Sequence, residues 1–181
     1  MTYYILAAAG IVILIAMFVM YNSLVTLRNK ANEAYSTMDV YLQKRFDLIP
    51  NLVEVVKGYA KHEAETLETV TKMRSNASSD INEKVNGEMQ ISKALVQVFA
   101  VVEKYPQLLA SNSFLDLQNQ LKKVEEEISY SRRYYNGSVR ELNNKCQMFP
   151  TNIIASMFGF KTMKMYEVAS SKERENINVT L

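Results

Sequence analysis

The sequence predicts an all-α protein, in which an elongated antiparallel bundle of long helices continues from an N-terminal transmembrane helix. Three observations support this fold class. No side chain between Thr2 and Leu27 is charged. Beyond that stretch, apolar residues recur at steps of three and four, the period of a helix that packs against other helices. The 181 residues include only 5 Gly and 3 Pro, and a β-sandwich or barrel needs more turn-forming residues than that.

The apolar segment Ile5–Met20 is predicted to cross a membrane. With its flanking residues it reaches the roughly 20 residues that span the hydrocarbon core, and tyrosines at both ends suit the membrane interface. A cleaved signal peptide and a buried core helix are the alternatives. A signal peptide starts with basic residues, whereas Met1–Tyr4 has none and the apolar run passes into Leu24 and Val25 at helical spacing. We therefore predict an uncleaved anchor over residues 1–22.

The charges around this segment predict its orientation. Arg28 and Lys30 follow it, and only the α-amino group precedes it. Glu33 offsets part of this basic excess. By the positive-inside rule, the N-terminus is expected outside and the bulk of the protein in the cytoplasm.

The first long helix follows directly from the span. Its apolar positions continue at helical spacing through Leu24, Leu27, Ala31, Ala34, Met38 and Leu42. Pro50 lacks an N–H and clashes with the carbonyl four residues earlier, so it kinks or ends a helix. We favour a kink, because the apolar phase resumes at Ile49 and Leu52. The first predicted loop is Ser75–Asp80, a cluster of Ser, Asn and Asp.

Two further helices are predicted beyond this loop. The second covers residues 81–104, has an apolar centre, and ends before Pro106. The third begins at Ser113 with an approximate capping box, and Pro150 ends it. Gly137 falls inside the third helix without a slip in its apolar phase, so we expect a close backbone approach there. Short loops between the three helices make neighbouring helices antiparallel.

The chain divides into four predicted parts: an anchor (1–22), a helical bundle (23–149), an apolar C-terminal segment (150–168) and a polar tail expected to be disordered (169–181). The apolar C-terminal segment is too short to span a bilayer. It is predicted to meet a neighbouring subunit or a membrane surface, and docking onto its own bundle is the alternative. Its candidate interface residues are Phe149, Ile153, Ile154, Met157, Phe158 and Phe160.

Little in the sequence points to catalysis or cofactor binding. The chain lacks glycine-rich phosphate loops, and its single Cys and single His cannot supply a cysteine-based zinc site or paired histidine ligands. His62 is predicted on a solvated helix face, and Cys146 is predicted to be a small buried residue. Glu125–Glu127 are predicted to pair with Lys122 and Lys123 at the surface. We therefore expect no catalytic residue, cofactor or metal, and the net charge of +2 argues against nucleic acid as a partner.

Two polar clusters are predicted to form one buried layer that fixes the register of the helices. Arg45 falls within the apolar seam of the first helix, and Arg132 lies next to that of the third. Because desolvation of a charge is costly, a cation that faces a core needs a partner, and Asp47 and Glu54 are the expected partners. A ligand or partner site on this layer, and plain surface charge, are the alternatives. The layer comprises Arg45, Asp47, Asn51, Glu54, Arg132, Arg133, Asn136 and Arg140.

Five motifs within Met20–Val168 are specific when they are taken together. They are YNSLV (21–25), ANEAY (31–35), DVYLQKRFDLIPNLVEVVKGYAK (39–61), RRYYN (132–136) and FPTNIIASMFGF (149–160). On these motifs the sequence resembles the LemA family of bacterial membrane proteins. The resemblance implies a single N-terminal span and an elongated antiparallel helical bundle, and it implies no enzyme, because the family has no agreed biochemical activity. Some relatives belong to magnetosome membranes, which by analogy points to membrane organisation.

The predicted function is structural. We expect a non-enzymatic, single-pass protein of the bacterial cytoplasmic (inner) membrane that self-associates and organises or shapes that membrane. Its expected partners are the lipid bilayer and further copies of itself. A membrane-tethered adaptor for a cytoplasmic enzyme, protease or signalling protein is the alternative. A third hypothesis, an enzyme or small-molecule sensor built on the polar layer, predicts a concave pocket at that layer.

Overall fold

The computed structural model describes residues 1–60, 67 and 81–167, except for the side chains of residues 81–84. The predicted loop at 75–80, His62 and the predicted tail at 169–181 lie outside the described residues. Within the described ranges the chain forms five helices and no strand, which confirms the all-α class. The helices are α1 (Thr2–Tyr59), α2 (Ile81–Val102), α3 (Pro106–Leu109), α4 (Asn112–Gln147) and α5 (Thr151–Met157).

The longest element, α1, has 58 residues and passes through Pro50 without ending. Buried residues lie on both sides of the proline, Ile49 before it and Leu52 after it, so the packed face continues as the apolar phase indicated. Among the described residues, α1 is the helix that is long and apolar enough to cross a membrane. None of its most apolar stretch is buried inside the protein, which argues against a core helix.

The chain separates into two compact units, and both α1 and α4 contribute to each of them. We call Met1–Val40 with Ile128–Met165 the span unit, because it contains the predicted transmembrane segment Ile5–Met20. We call Tyr41–Glu127 with the chain from Tyr166 onward the ion-pair unit, because it contains a buried arginine with two carboxylate partners.

In the span unit, the first part of α1 packs antiparallel to the second half of α4. Lys30 bonds to Glu141, and the rings of Tyr35 and Tyr135 lie 5.6 Å apart, so residue numbers rise along one helix as they fall along the other. The side chains that fill this core are the spaced apolar positions of the sequence. They are Leu24, Ala31, Ala34, Met38, Ile128, Tyr135, Val139 and Leu142.

In the ion-pair unit, α2 runs antiparallel to the first half of α4. The rings of Phe99 and Phe114 lie 6.3 Å apart, and Glu88 shares Arg45 with Glu125. The core here includes Leu42, Ile49, Leu52, Val56, Val85, Ile91, Leu95, Val98, Val102, Leu108, Phe114, Leu121 and Val124.

Two local predictions about α4 are wrong. The helix begins at Asn112, so Ser113 lies inside its first turn and does not cap it. A Cβ built on Gly137 meets no heavy atom within 4 Å, so no backbone approaches this glycine closely. Continuous apolar phase shows that a helix persists through a glycine, but it does not show what faces that glycine.

Candidate functional site

Arg45 is the most deeply buried charged residue described, with 2% of its surface exposed. Its burial follows from the sequence, because it lies three residues after Leu42 and four before Ile49, on the face of α1 that packs against other helices. A guanidinium is always charged at physiological pH, so this position needs acidic partners within reach of its fork.

Two carboxylates supply those partners, one from α2 and one from α4. The Nη1 group of Arg45 donates to Glu125 Oε1 at 2.8 Å, and its Nη2 group donates to Glu88 Oε2. Nη2 also lies 3.5 Å from the backbone oxygen of Glu88. Glu88 is buried, whereas 44% of the Glu125 side chain is exposed. One buried cation therefore holds three helices in register through charge-assisted hydrogen bonds.

The predicted partners of Arg45 are wrong. Asp47 and Glu54 are both exposed, as is Asn51. Asp47 accepts a hydrogen bond from Gln43 Nε2 at 2.9 Å on the surface of α1. Residues two apart on a helix do not face each other, so Asp47 cannot reach a guanidinium that points into the core. The carboxylates that pair with Arg45 are instead distant in the chain, at 43 and 80 residues.

The second predicted cluster belongs to the span unit and is mostly at the surface. Arg132 and Asn136 are half-buried, and Arg133 and Arg140 are exposed. The ion pairs of Arg45 are made within the ion-pair unit. The eight predicted layer residues therefore divide between two compact units rather than sharing one.

Sequence reasoning missed Glu88 and misread Glu125. Glu88 lies three residues after Val85 and three before Ile91, both buried, so its seam position was visible as an acid within an apolar face. Glu125 was predicted to pair with surface lysines as part of a run of three glutamates. Its position directly after the buried Val124 places it at the edge of the core, where it reaches Arg45.

A second feature, in the span unit, is the docking of α5 against the end of the predicted span. Ile154, Ala155 and Phe160 are buried against Leu24 and Leu142. Partly buried residues surround this cluster, and three of them lie at the end of the predicted transmembrane helix: Met17, Met20 and Tyr21. The others are Val25, Leu27, Cys146 and Met163.

Hydrogen bonds fasten the chain after α5 to α4. Tyr135 Oη donates to the carbonyl of Lys164 at 2.8 Å. The amide of Asn143 makes a reciprocal pair with Met163, donating to its carbonyl at 2.9 Å and accepting from its N–H at 2.8 Å. The Thr151 hydroxyl donates to the carbonyl of Met148 at 2.9 Å, at the start of α5. These bonds hold the apolar C-terminal segment in a defined position on α4.

The predicted interface residues separate into two groups. Ile154 and Phe160 are buried in the cluster, as the alternative of docking onto the same chain required. Phe149, Ile153, Met157 and Phe158 are each more than half exposed. The segment therefore packs on its own unit with one side and presents an apolar surface with the other.

Cations lie around this segment. The guanidinium of Arg28 is centred 5.0 Å above the ring of Phe160, within the range of a cation–π contact. Lys161 and Lys164 follow Phe160 and are exposed. Lys30 bonds to Glu141 at 3.1 Å, and this hydrogen bond, with the negative charge of Glu141, raises the pKa of the Lys30 ammonium.

Burial raises the pKa of two other titratable groups of the span unit. Desolvation raises the pKa of the Tyr135 hydroxyl, with a smaller contribution from Tyr35. Burial likewise raises the pKa of the Cys146 thiol, which was predicted to be buried and is half-buried against the core cluster. In the described part of the chain, no three His, Cys, Asp or Glu side chains are grouped to hold a metal ion.

Comparison with known proteins places this arrangement in a family. A family model described as the LemA family matches residues 34–181, most of the chain. The chain belongs to the LemA family. Its match includes Arg45, both of its carboxylate partners and all of α5, and it begins after the apolar segment.

Individual relatives extend this LemA-family match. The chain is 26% identical over 162 residues to the protein LemA of Metamycoplasma hominis, covering 88% of this chain and 74% of that protein. It is 23% identical over 192 residues to magnetosome protein MamQ 2 of Paramagnetospirillum magneticum, covering 90% and 71%. It is 23% identical over 174 residues to magnetosome protein MamQ of Magnetospirillum gryphiswaldense, covering 81% and 64%. Together with the apolar part of α1, this indicates a membrane-associated helical protein.

Proposed function

We propose that this LemA-family protein is a non-enzymatic membrane organiser. It is anchored by the apolar part of α1, self-associates in the plane of the bilayer, and organises or shapes the membrane in which it lies. Its partners are the lipid bilayer and other copies of the same chain.

The observation that supports this proposal most strongly is the continuity of α1 in the span unit. The apolar segment and the packed positions Leu24, Ala31 and Met38 belong to one uninterrupted helix. A flexible linker would let a cytoplasmic domain move independently of its anchor, whereas a continuous helix transmits the orientation of the packed unit to the segment in the bilayer. Rigid coupling is what a scaffold needs if its assembly is to shape a membrane.

The buried chemistry fits a structural role. Arg45 of α1 bonds to Glu88 of α2 and to Glu125 of α4, so these charges are used within the fold. The named relatives add independent support, because two of them are called magnetosome proteins, and a magnetosome role is a role at a membrane. For orientation, Arg28 and Lys30 after the span favour a cytoplasmic bundle in the bacterial inner membrane.

The test is the mass and shape of full-length particles extracted in mild detergent, measured by light scattering and electron microscopy. A large closed assembly supports a self-associating scaffold. A monomer or dimer contradicts it. If a cytoplasmic protein co-purifies with such a small particle, the membrane-tethered adaptor replaces the scaffold as the better hypothesis.

Orientation is tested separately in intact cells. In a Cys146→Ser background, a single cysteine replaces the exposed Tyr130 of α4. A membrane-impermeant maleimide should label this cysteine only after the cells are lysed. Labelling in intact cells would place the bundle outside and contradict the proposed orientation.

A further inference from the structure

The segment around α5 exposes a set of large apolar side chains. Phe149 is 79% exposed, and Ile153, Met157 and Phe158 are each more than half exposed. Ile153 and Met157 are four residues apart and share one side of α5, while Ile154 on another side is buried. Scattered apolar residues are common on protein surfaces, but this many in one short segment form a patch that marks an interaction site.

The depth of this patch relative to the bilayer follows from its contacts with α1. The Phe158 and Phe160 rings lie 4.8 and 5.8 Å from the ring of Tyr21, the tyrosine that ends the apolar segment. Met17, one turn earlier, packs against the same cluster. One helical turn rises about 5 Å, and the interfacial layer on each side of the hydrocarbon core is roughly 5–8 Å thick. With Tyr21 at the membrane interface, as the sequence predicts, these contacts put the C-terminal end of α5 at the level of the lipid headgroups.

Charge around the patch matches a lipid surface. Lys161 and Lys164 follow the patch in the chain and are exposed, and the exposed Arg28 of α1 lies above the ring of Phe160. Segments that combine apolar side chains with lysine or arginine bind at the interface of membranes that contain anionic lipids.

We propose that α5 lies in the interface of the same bilayer that α1 crosses. Phe149, Ile153, Met157 and Phe158 insert between the headgroups and the upper acyl chains, and the flanking cations contact anionic headgroups. The patch lies beside the end of the span, because Phe158 contacts Tyr21 and the α5 cluster includes Met17 and Met20. This inference rests on the membrane anchoring in the proposed function, but it does not depend on self-association.

A second contact with the bilayer constrains the first. A lone transmembrane helix is free to tilt and rotate within the limits of hydrophobic mismatch. Because α5 packs on the final turns of the span, and the chain after α5 is bonded to α4 through Asn143 and Tyr135, insertion of α5 fixes both the rotation and the depth of α1. An interfacial segment beside a span also adds area to one leaflet, which is a physical route to membrane shaping.

The experiment uses the absence of tryptophan from this chain, whose Trp count is 0. A single tryptophan replaces one patch residue at a time in the full-length protein: Phe149→Trp, Ile153→Trp, Met157→Trp or Phe158→Trp. Each variant is placed as single copies in lipid nanodiscs made of phosphatidylcholine with phosphatidylglycerol. A fraction of the lipid carries bromine, either near the carbonyl end or near the methyl end of its acyl chains. Bromine quenches tryptophan fluorescence only at short range, so it reports contact and depth.

Two matched variants calibrate the signal. Ile11→Trp, which is exposed in the middle of the apolar segment, is the reference for a deep position. Tyr130→Trp, which is exposed on α4 of the same unit, is the reference for a position away from α5. An unchanged helical circular dichroism signal and melting temperature establish that each variant is folded.

We expect the patch tryptophans to be quenched several-fold more strongly than Tyr130→Trp, and more by bromine near the carbonyl end than near the methyl end. The Ile11→Trp reference should show the opposite depth preference. Patch tryptophans that emit as in water and are quenched no more than Tyr130→Trp would overturn the proposal. Blue-shifted emission without quenching would also overturn it, because the tryptophan would then be buried within the protein and not in lipid.

The cationic rim is tested in the Met157→Trp background. Removing phosphatidylglycerol should weaken the quenching by carbonyl-end bromine. The added substitutions Lys161→Gln and Lys164→Gln should abolish that dependence on anionic lipid. Dependence that persists unchanged without these lysines would overturn their assignment as headgroup contacts. Single copies per disc make this result independent of the particle mass, so a monomeric protein in detergent would reject self-association without rejecting lipid insertion.

Discussion

In the ion-pair unit a charged side chain is buried, whereas in the span unit several large apolar side chains are exposed. Arg45 is among the most buried side chains of the molecule, and Phe149 is among the most exposed large apolar ones. Both features depart from the usual distribution of polar and apolar side chains in a soluble protein, and each has a different explanation.

The difference shows how to separate a structural exception from an interaction surface. The charge of Arg45 is balanced within the chain by ion pairs with Glu88 and Glu125. The exposed apolar face at α5 is not covered by other side chains in the described part of its unit. It lies next to a segment that is long and apolar enough to cross a membrane. A buried polar group with internal partners stabilises a fold, while an uncovered apolar face beside a span points outward to lipid.

The largest expected effect in this comparison is the loss of the buried carboxylate. Glu88→Ala leaves Arg45 buried with only the half-exposed Glu125, and breaking a buried ion pair costs about 3–5 kcal/mol. We expect the melting temperature of the full-length protein in detergent to fall by about 10 °C.

The exposed Asp47 supplies the matched control for that variant. Asp47→Ala should change stability by less than about 0.5 kcal/mol, because its hydrogen bond to Gln43 is at the surface. Equal losses of melting temperature in the two variants would contradict the assignment of Glu88 as the partner. A double variant, Arg45→Met with Glu88→Leu, should recover most of the loss, since apolar side chains can replace a buried pair.

The next effect compares the two sides of α5. Ile154→Ala removes a buried side chain from the cluster with Leu24 and Leu142 and should cost about 2–4 kcal/mol. Ile153→Ala, one residue away on the exposed side, should cost less than about 0.5 kcal/mol in detergent. Thermal unfolding of both variants measures the contrast, and a larger loss for Ile153→Ala would show that the described side of α5 is the wrong one.

A smaller effect is expected at the bond that fastens the chain after α5. Tyr135→Phe removes the hydrogen bond to the Lys164 carbonyl and should cost about 1 kcal/mol. The raised pKa of Tyr135 means that its contribution is complete below the ordinary tyrosine pKa of 10.0 and declines as pH rises above it. Tyr134→Phe, at an exposed neighbour, should leave both the stability and its alkaline decline unchanged. If the alkaline decline is lost in Tyr134→Phe instead, the titrating group is Tyr134 and the assignment to Tyr135 is wrong.

The smallest effect is expected at the exposed pair between Lys30 and Glu141. Lys30→Gln should lower the melting temperature slightly at low salt and not at high salt, because exposed pairs are weak and screened. The raised pKa of Lys30 makes its contribution full below the ordinary lysine pKa of 10.5, and this contribution is lost as pH rises further. A salt-independent loss would indicate that Lys30 stabilises through a contact other than the ion pair, such as that of its ammonium with the Tyr134 ring, whose centroid is 5.8 Å from Nζ.

Much of the fold was predictable, and the candidate site was predictable only in part. Spacing identified the buried faces of α1 and α4, including the burial of Arg45 at a seam position. It also placed the end of α2 within two residues of Val102. Ser113 and Gly137 were misjudged because a helix start and a backbone environment depend on neighbours outside the helix. The segment at α5 was predicted to form an apolar interface, which stays a prediction, and the sequence did not show which of its residues pack inward and which are exposed.

By itself the sequence determined the helices, the apolar segment and the faces that they bury. Those properties are local, since they depend on side chains within a few turns of one helix. Only the tertiary structure decided which carboxylates meet Arg45, because Glu88 and Glu125 lie 43 and 80 residues away in the chain. Only the tertiary structure placed α5 against Tyr21 at the end of the apolar segment. Contacts between distant segments depend on the register between helices, and the period of any one helix does not encode that register.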